Sequence, residues 1–442
     1  MSLETENSPL VGVKNTLSNH HDGLAKLNSG LLTTLLGSVQ AGILVFFVFG
    51  TTYSNDDYSP SEYMIFRDIM VMLLLGFGYL MTFLKLYGLG AVGFTMMISI
   101  LAIQLNIVVE LIMRFVFGKA GDADTILPLP LKLPMFIDGE FAAATALISY
   151  GALIGRASPV QLVLMTASQS IFYALNKVVV VLGFCAAEDV GGSITIHMFG
   201  AFFGLACSYA LGPPKSTTNA DPNRISDILA MIGSTLLWVY WPSFVGATES
   251  GVPLNENFCV VHTILALIGS TGATFYMSQQ LGHGKMDPVH IANSTLAGGV
   301  AVGSSARLSM TPAGALILGV MAGMISVYGY AYSTPYLESK GIYDTCGVGN
   351  LHGLPSLLGG IGSIVFVLLD SDAEFLSFGP LQQSLRQLLA VVMTVALASS
   401  SGFLTGKAMT KAAPAMDEEG YEDAAWWEGK YFNCTGGSET EP

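Results

Sequence analysis

Charge is scarce in this 442-residue chain: Asp, Glu, Lys and Arg make up 11% of it, against 52% hydrophobic residues. A soluble domain carries roughly a quarter of its residues charged. That shortfall excludes an ordinary water-soluble fold. Basic residues are scarcer still, 18 against 32 acids for a formal net charge of −14, so no positive surface is available for nucleic acid. Cysteine is sparse, odd in number and scattered at Cys185, Cys207, Cys259, Cys346 and Cys434, which gives neither a disulfide framework nor a CxxC metal pattern. Walker loop, G-x-S-x-G and HExxH motifs are missing as well. With no clustered Cys/His site either, the chain is expected to be neither an enzyme nor a metal or cofactor protein.

What is present in quantity is long apolar sequence. A membrane helix needs about 20 mostly apolar residues. Such runs fall near 31–50, 64–84, 90–114, 193–211, 226–247, 258–281, 312–332, 349–370 and 384–409, with shorter or Gly-interrupted ones near 139–155, 159–183 and 289–305. The expected fold is therefore an all-α membrane protein of about 12 transmembrane helices. The first thirty residues are polar, so span 1 is expected to act as an uncleaved signal anchor behind a cytosolic segment, 1–30. With a cytosolic N-terminus, basic residues divide eleven to seven in favour of the cytosolic side, a modest positive-inside bias. The transmembrane domain is then 31–410 and an acidic cytosolic tail 411–442. Other acids lie in loops, among them Asp370, Asp372 and Glu374. Asn433-Cys434-Thr435 fits a glycosylation acceptor, but in this topology it stays cytosolic and unmodified.

The polar stretch from Lys215 to Ser226 divides the spans into halves, about 64–211 and 226–370. Five spans per half is an odd number, so equivalent spans cross in opposite directions, an inverted repeat. Span 6 is preceded by Asp189-Val190-Gly191-Gly192 and reaches His197; span 11 is preceded by Asp344-Thr345-Cys346-Gly347 and reaches His352. Both read D-x2-G-x4-H. An intramembrane His faces the protein interior or a cavity, and a lone one is as readily a helix contact. Two related by an antiparallel repeat meet at the midplane, where one imidazole can donate to the other; they are the candidate pore residues. Asp189 and Asp344 suit helix capping, with an electrostatic effect on a pore cation as the alternative. Phe141 and Phe244 are candidates for a stacked gate, or else interface-belt or core residues. The glycines inside spans, such as Gly76, Gly298, Gly303 and Gly359, read as close helix packing. Glu110 and Arg114 can pair at i,i+4, and Lys177 can snorkel to the interface.

These residues also carry a family resemblance. Gly76-Phe77-Gly78-Tyr79-Leu80-Met81-Thr82-Phe83-Leu84, Gly191-Gly192-Ser193-Ile194-Thr195-Ile196-His197, Trp241-Pro242-Ser243-Phe244, Leu296-Ala297-Gly298-Gly299 and Asn350-Leu351-His352-Gly353 are similar to the Rhesus glycoproteins, a branch of the ammonium transporter superfamily. The resemblance implies an 11-helix core of two inverted five-helix repeats plus an extra N-terminal helix, assembled as a homotrimer. It implies that His197 and His352 are pore histidines, Asp189 and Asp344 the acids behind them, and Phe141 and Phe244 the gate, with Glu140 and Trp241 at the outer vestibule. Val245 and Gly349 depart from the family pattern, and Lys177 adds a positive charge at the outer mouth. The implied substrate is ammonia, recruited as ammonium and passed as the neutral molecule through the lipid bilayer, with methylammonium a poorer one. Two alternatives stay open: a carbon dioxide (CO2) channel, and a structural or signalling protein whose tail from Lys411 docks a cytosolic partner.

Overall fold

The computed structural model describes residues 9–55, 59–117, 127–250, 252–370, 378–413 and 420–428. The acceptor Asn433-Cys434-Thr435 and the acids Asp372 and Glu374 lie outside them. Ten helices among the described residues are long and apolar enough to cross a membrane: Ser29–Gly50, Pro60–Phe83, Gly88–Phe117, Pro159–Cys185, Ser193–Leu211, Arg224–Glu249, Leu254–Leu281, Pro312–Ser339, Gly349–Leu369 and Pro380–Ala412. Two more elements complete the bundle in chain order. Leu133–Leu153 is span 4, and Pro288–Ser294 with Ala297–Val302 forms a broken span 9. Protein, not lipid, surrounds span 4: nearly every residue from Ile137 on is buried.

Helix starts follow local chemistry. Spans 2, 5, 9 and 10 each begin with Pro just after an N-cap Ser59, Ser158, Asp287 or Thr311 whose side chain accepts a backbone N–H. Proline suits that first turn because its missing N–H would be unpaired there anyway. Span 7 opens on a capping box of Asn223 and Ser226, which reciprocally satisfies two otherwise free donors.

Two features depart from the expectation. Span 1 belongs to a longer helix, Pro9–Gly50, so the polar N-terminal stretch is helical from Pro9. It packs through Ile43 against Leu101 and Val163 and leaves Leu44 and Phe49 exposed, as a peripheral helix would toward lipid. Among the described residues there is also one small parallel sheet, Thr51–Tyr53 on Leu129–Leu131, which ties the end of span 1 to the approach to span 4.

The two halves interlock through glycine. Gly191 donates its N–H to Gly303 O at 2.9 Å, and Cys346 donates to Gly151 O at 3.0 Å, one contact near each end of the bundle. A Cβ at Gly303 would lie 2.7 Å from Gly191 O, and one at Gly151 2.7 Å from Val348. Only glycine permits that approach.

Candidate functional site

Span 6 and span 11 begin in the same unusual way. Gly192 (φ 72°) and Gly347 (φ 76°) take the left-handed conformation just before each helix, and a wide turn follows in which His197 N–H reaches back five residues to Gly192 O. The aspartates hold these turns. Asp189 accepts from Ile194 N at 3.0 Å, Thr195 N at 2.7 Å and Thr195 Oγ1 at 2.8 Å, and from Ser304 Oγ across the half boundary. Asp344 accepts from the backbone N–H groups of Gly347, Val348 and Gly349 at 2.8–3.0 Å. Burial raises each carboxyl to about 6, with these hydrogen bonds opposing it. Each carboxyl accepts every one of these bonds, and such bonds strengthen when the acceptor is ionised.

The helix starts bring the two imidazoles together. His197 Nδ1 and His352 Nδ1 are 3.1 Å apart, the ring planes lie within 12° of parallel, and both side chains are buried. One ring must donate and the other accept, so their outward Nε2 atoms have opposite roles: one is a donor, the other an acceptor. His197 Nε2 has no partner among the described residues, which leaves it for a ligand.

Aromatic rings fix the pair from both sides. Trp241 lies over His197 (5.6 Å, 22°) and Phe77 over His352 (6.2 Å, 23°). Phe77 was invisible as a site residue in the sequence, although it stands in the quoted Gly76-Phe77-Gly78. Trp241 is a correction: it is fully buried behind His197, and Gly299 is what makes room for its indole, since a Cβ there would meet Nε1 at 2.5 Å. It does not belong to a vestibule.

Phe141 and Phe244 are adjacent as expected, with centroids 5.0 Å apart, but at 86° they meet edge to face rather than stacked. That arrangement matches ring quadrupoles better than a sandwich does. Phe244 also touches His197 (5.9 Å), so the phenyl pair separates the imidazoles from a cavity of about 450 Å³ that Phe141, Asp189 and Glu249 help to line. A second cavity of about 190 Å³ lies at the other end, beside Asp344 and Cys346.

Two further sequence expectations need correcting at the first cavity. Glu140 does not line it: the side chain is fully buried and neither carboxylate oxygen has a hydrogen-bond partner among the described residues. Its place in span 4, one residue before the gate phenylalanine, turns it into the bundle. Lys177 does not snorkel. Its ammonium is held 2.9 Å from Asp138 and 3.3 Å from Glu110, while Glu110 also pairs with Arg114 at 2.7 Å, as the i,i+4 spacing suggests. Nor is the lining simply acidic, because Asp138, Glu188, Asp189 and Glu249 alternate with Arg114, Lys177 and Arg307. Arg307 bridges Glu188 and Glu249, and burial raises the Glu188 carboxyl against that pull. The turn bearing Arg307 is held by His262, whose ring nitrogens lie 2.9 Å from Ala306 O and 3.0 Å from Met310 O. A usable signal existed: Arg307 is the sole charged residue between Pro288 and Leu337. By contrast, Asp227, Glu338 and Asp344 line the second cavity, with no base among its lining residues.

A membrane bundle of inverted halves around a buried imidazole pair is the class that fold and site define. The model of the Ammonium Transporter Family matches residues 31–425. Ammonium transporter Rh type B-B of Xenopus laevis is 41% identical over 395 residues, covering 85% of this chain and 83% of its own length. Ammonium transporter Rh type B of Bos taurus is 36% identical and covers 96% and 98%. The solved structure of Nitrosomonas europaea Rh50, of the Rhesus protein family of channels, superposes with TM-score 0.73 at 34% identity, over 84% of this chain and 93% of its own. The chain belongs to the ammonium transporter family, in its Rhesus branch.

Proposed function

We propose that this protein conducts ammonia across a cell membrane, taking up ammonium at a mouth, leaving its proton there and passing the neutral molecule along His197 and His352. The observation that carries the reading is the 3.1 Å imidazole pair behind the Phe141–Phe244 contact. A bare cation crossing that apolar stretch costs several kcal/mol. Neutral ammonia pays little and finds a donor and an acceptor on the two outward Nε2 atoms. Sodium and potassium would lose hydration water with no ring of oxygens to replace it.

In this reading the Asp189 cavity is extracellular and the Asp344 cavity cytosolic, with both termini in the cytosol and the halves at about 64–211 and 226–370. The chain works as a homotrimer with one passage per subunit and has no enzymatic role. The tail from 411 on is free to meet a cytosolic partner. Kinship with ammonium transporters and a channel supports ammonia over the carbon dioxide and structural readings. Proteoliposomes holding the purified protein should take up ammonia and, less well, methylamine faster than empty vesicles. Equal rates with and without protein would overturn the proposal.

A further inference from the structure

We propose that Lys177 is a tethered occupant of a cation site at the mouth of the passage, and that it sets how weakly the protein holds ammonium there. The inference rests on the channel reading and deepens it. The Lys177 ammonium sits between Asp138 Oδ1 (2.9 Å) and Glu110 Oε2 (3.3 Å), and Lys177, Asp138 and the gate residue Phe141 all border the same cavity. Asn106 donates to the same Glu110 oxygen at 3.2 Å, and its own Oδ1 is buried with no hydrogen-bond partner among the described residues. Two carboxylate oxygens converging on an R–NH3 group, with the Asn106 amide beside one of them, form a site that would hold NH4 equally well. An alkylammonium built into the chain has an unbeatable local concentration. It therefore excludes the free ion and leaves ammonium only a shallow, fast-exchanging interaction with the rest of the cavity.

Removing the tether should expose the site. Arg114 still neutralises Glu110 in that case, so one net negative charge, on Asp138, awaits a cation. The test compares wild type, Lys177→Met, Lys177→Gln and Lys177→Arg as full-length purified proteins. Thermal unfolding is followed while ammonium chloride replaces choline chloride at constant ionic strength. A cation that binds only the native state raises stability by mass action. Ammonium should raise the midpoint of the Met and Gln variants above that in choline, and leave wild type and Lys177→Arg unmoved. In proteoliposomes, half-saturating ammonium for uptake should fall about tenfold in the Met and Gln variants.

The thermal measurement needs no transport. Inert wild-type proteoliposomes would sink the channel reading, whereas a folded Lys177→Met or Lys177→Gln protein indifferent to ammonium sinks this inference alone. Gln keeps a donor for Asp138, so it carries the test where Met does not fold. Failure of both to fold would show Lys177 to be a structural rivet and overturn the proposal equally.

Discussion

At the residue scale the imidazole pair behaves as one unit, because a single proton is shared between two buried Nδ1 atoms 3.1 Å apart. Removing one ring strands the other, and an orphaned buried polar group costs about 1–3 kcal/mol. Removing both strands nothing. His197→Leu/His352→Leu is therefore expected to unfold at a higher temperature than either single variant, and to have lost ammonia conductance. Stopped-flow uptake beside a thermal melt checks both halves of that statement. Full conductance from the folded double variant would remove the histidines from the mechanism. These two residues were legible in sequence because an imidazole is costly within an apolar run and because both stand in D-x2-G-x4-H. Phe77 and Trp241 were not legible in their roles, since aromatic residues are ordinary in a membrane span; Arg307 stood out as an isolated charge, but not its partners, Glu188 and Glu249, which the fold brings from the loop before span 6 and the end of span 7.

At the scale of elements, the openings of spans 6 and 11 matter most. Asp189 accepts four hydrogen bonds from span 6 and Ser304, so Asp189→Ala should cost on the order of 3 kcal/mol and show as lost yield and a lower melting midpoint. A stable, monodisperse Asp189→Ala protein without transport would mean that its electrostatic role outranks capping. Gly303→Ala tests the interlock of the halves. Its methyl would meet the Gly191 backbone at 2.7–2.8 Å, and neither backbone can yield without breaking the Gly191–Gly303 hydrogen bond. The expected result is an assembly defect visible in size-exclusion chromatography, with Gly88→Ala, which meets nothing within 4 Å, as the tolerated control. Spans and their starts were readable because apolar length and Ser/Thr/Asp-Pro caps are local signals. The three-residue sheet was not, since its pairing depends on a partner strand far along the chain. The tail shows the same limit. Its acidity was plain, but not that Asp423 would accept the N–H groups of Leu89 and Gly90 at the start of span 3, or that Trp427 would pack on Phe94.

At the scale of the whole molecule the question is which species carries charge across. An electrogenic carrier needs a place to hold a desolvated cation, and a tryptophan face supplies up to about 2 kcal/mol for that. The four tryptophans are Trp238, Trp241, Trp426 and Trp427. None lines the Asp189 cavity: Trp241 is buried against His197, Trp238 donates to Thr271, and Trp427 lies in the tail against Phe94. That cavity instead presents Arg114, Lys177 and Arg307 among its carboxylates, a lining too nearly balanced to concentrate cations steeply. Beyond it lie the edge-to-face phenyl rings and an imidazole pair with no net charge to exchange. Net transport should therefore be electroneutral and saturate only at high ammonium, the proton staying on the side it came from. Voltage-clamped cells expressing the protein should change internal pH on ammonium exposure while passing no ammonium-dependent current above controls. A saturable inward current at micromolar ammonium, lost in His197 or His352 variants, would place the protein among electrogenic carriers and require a cation path that bypasses the phenyl contact.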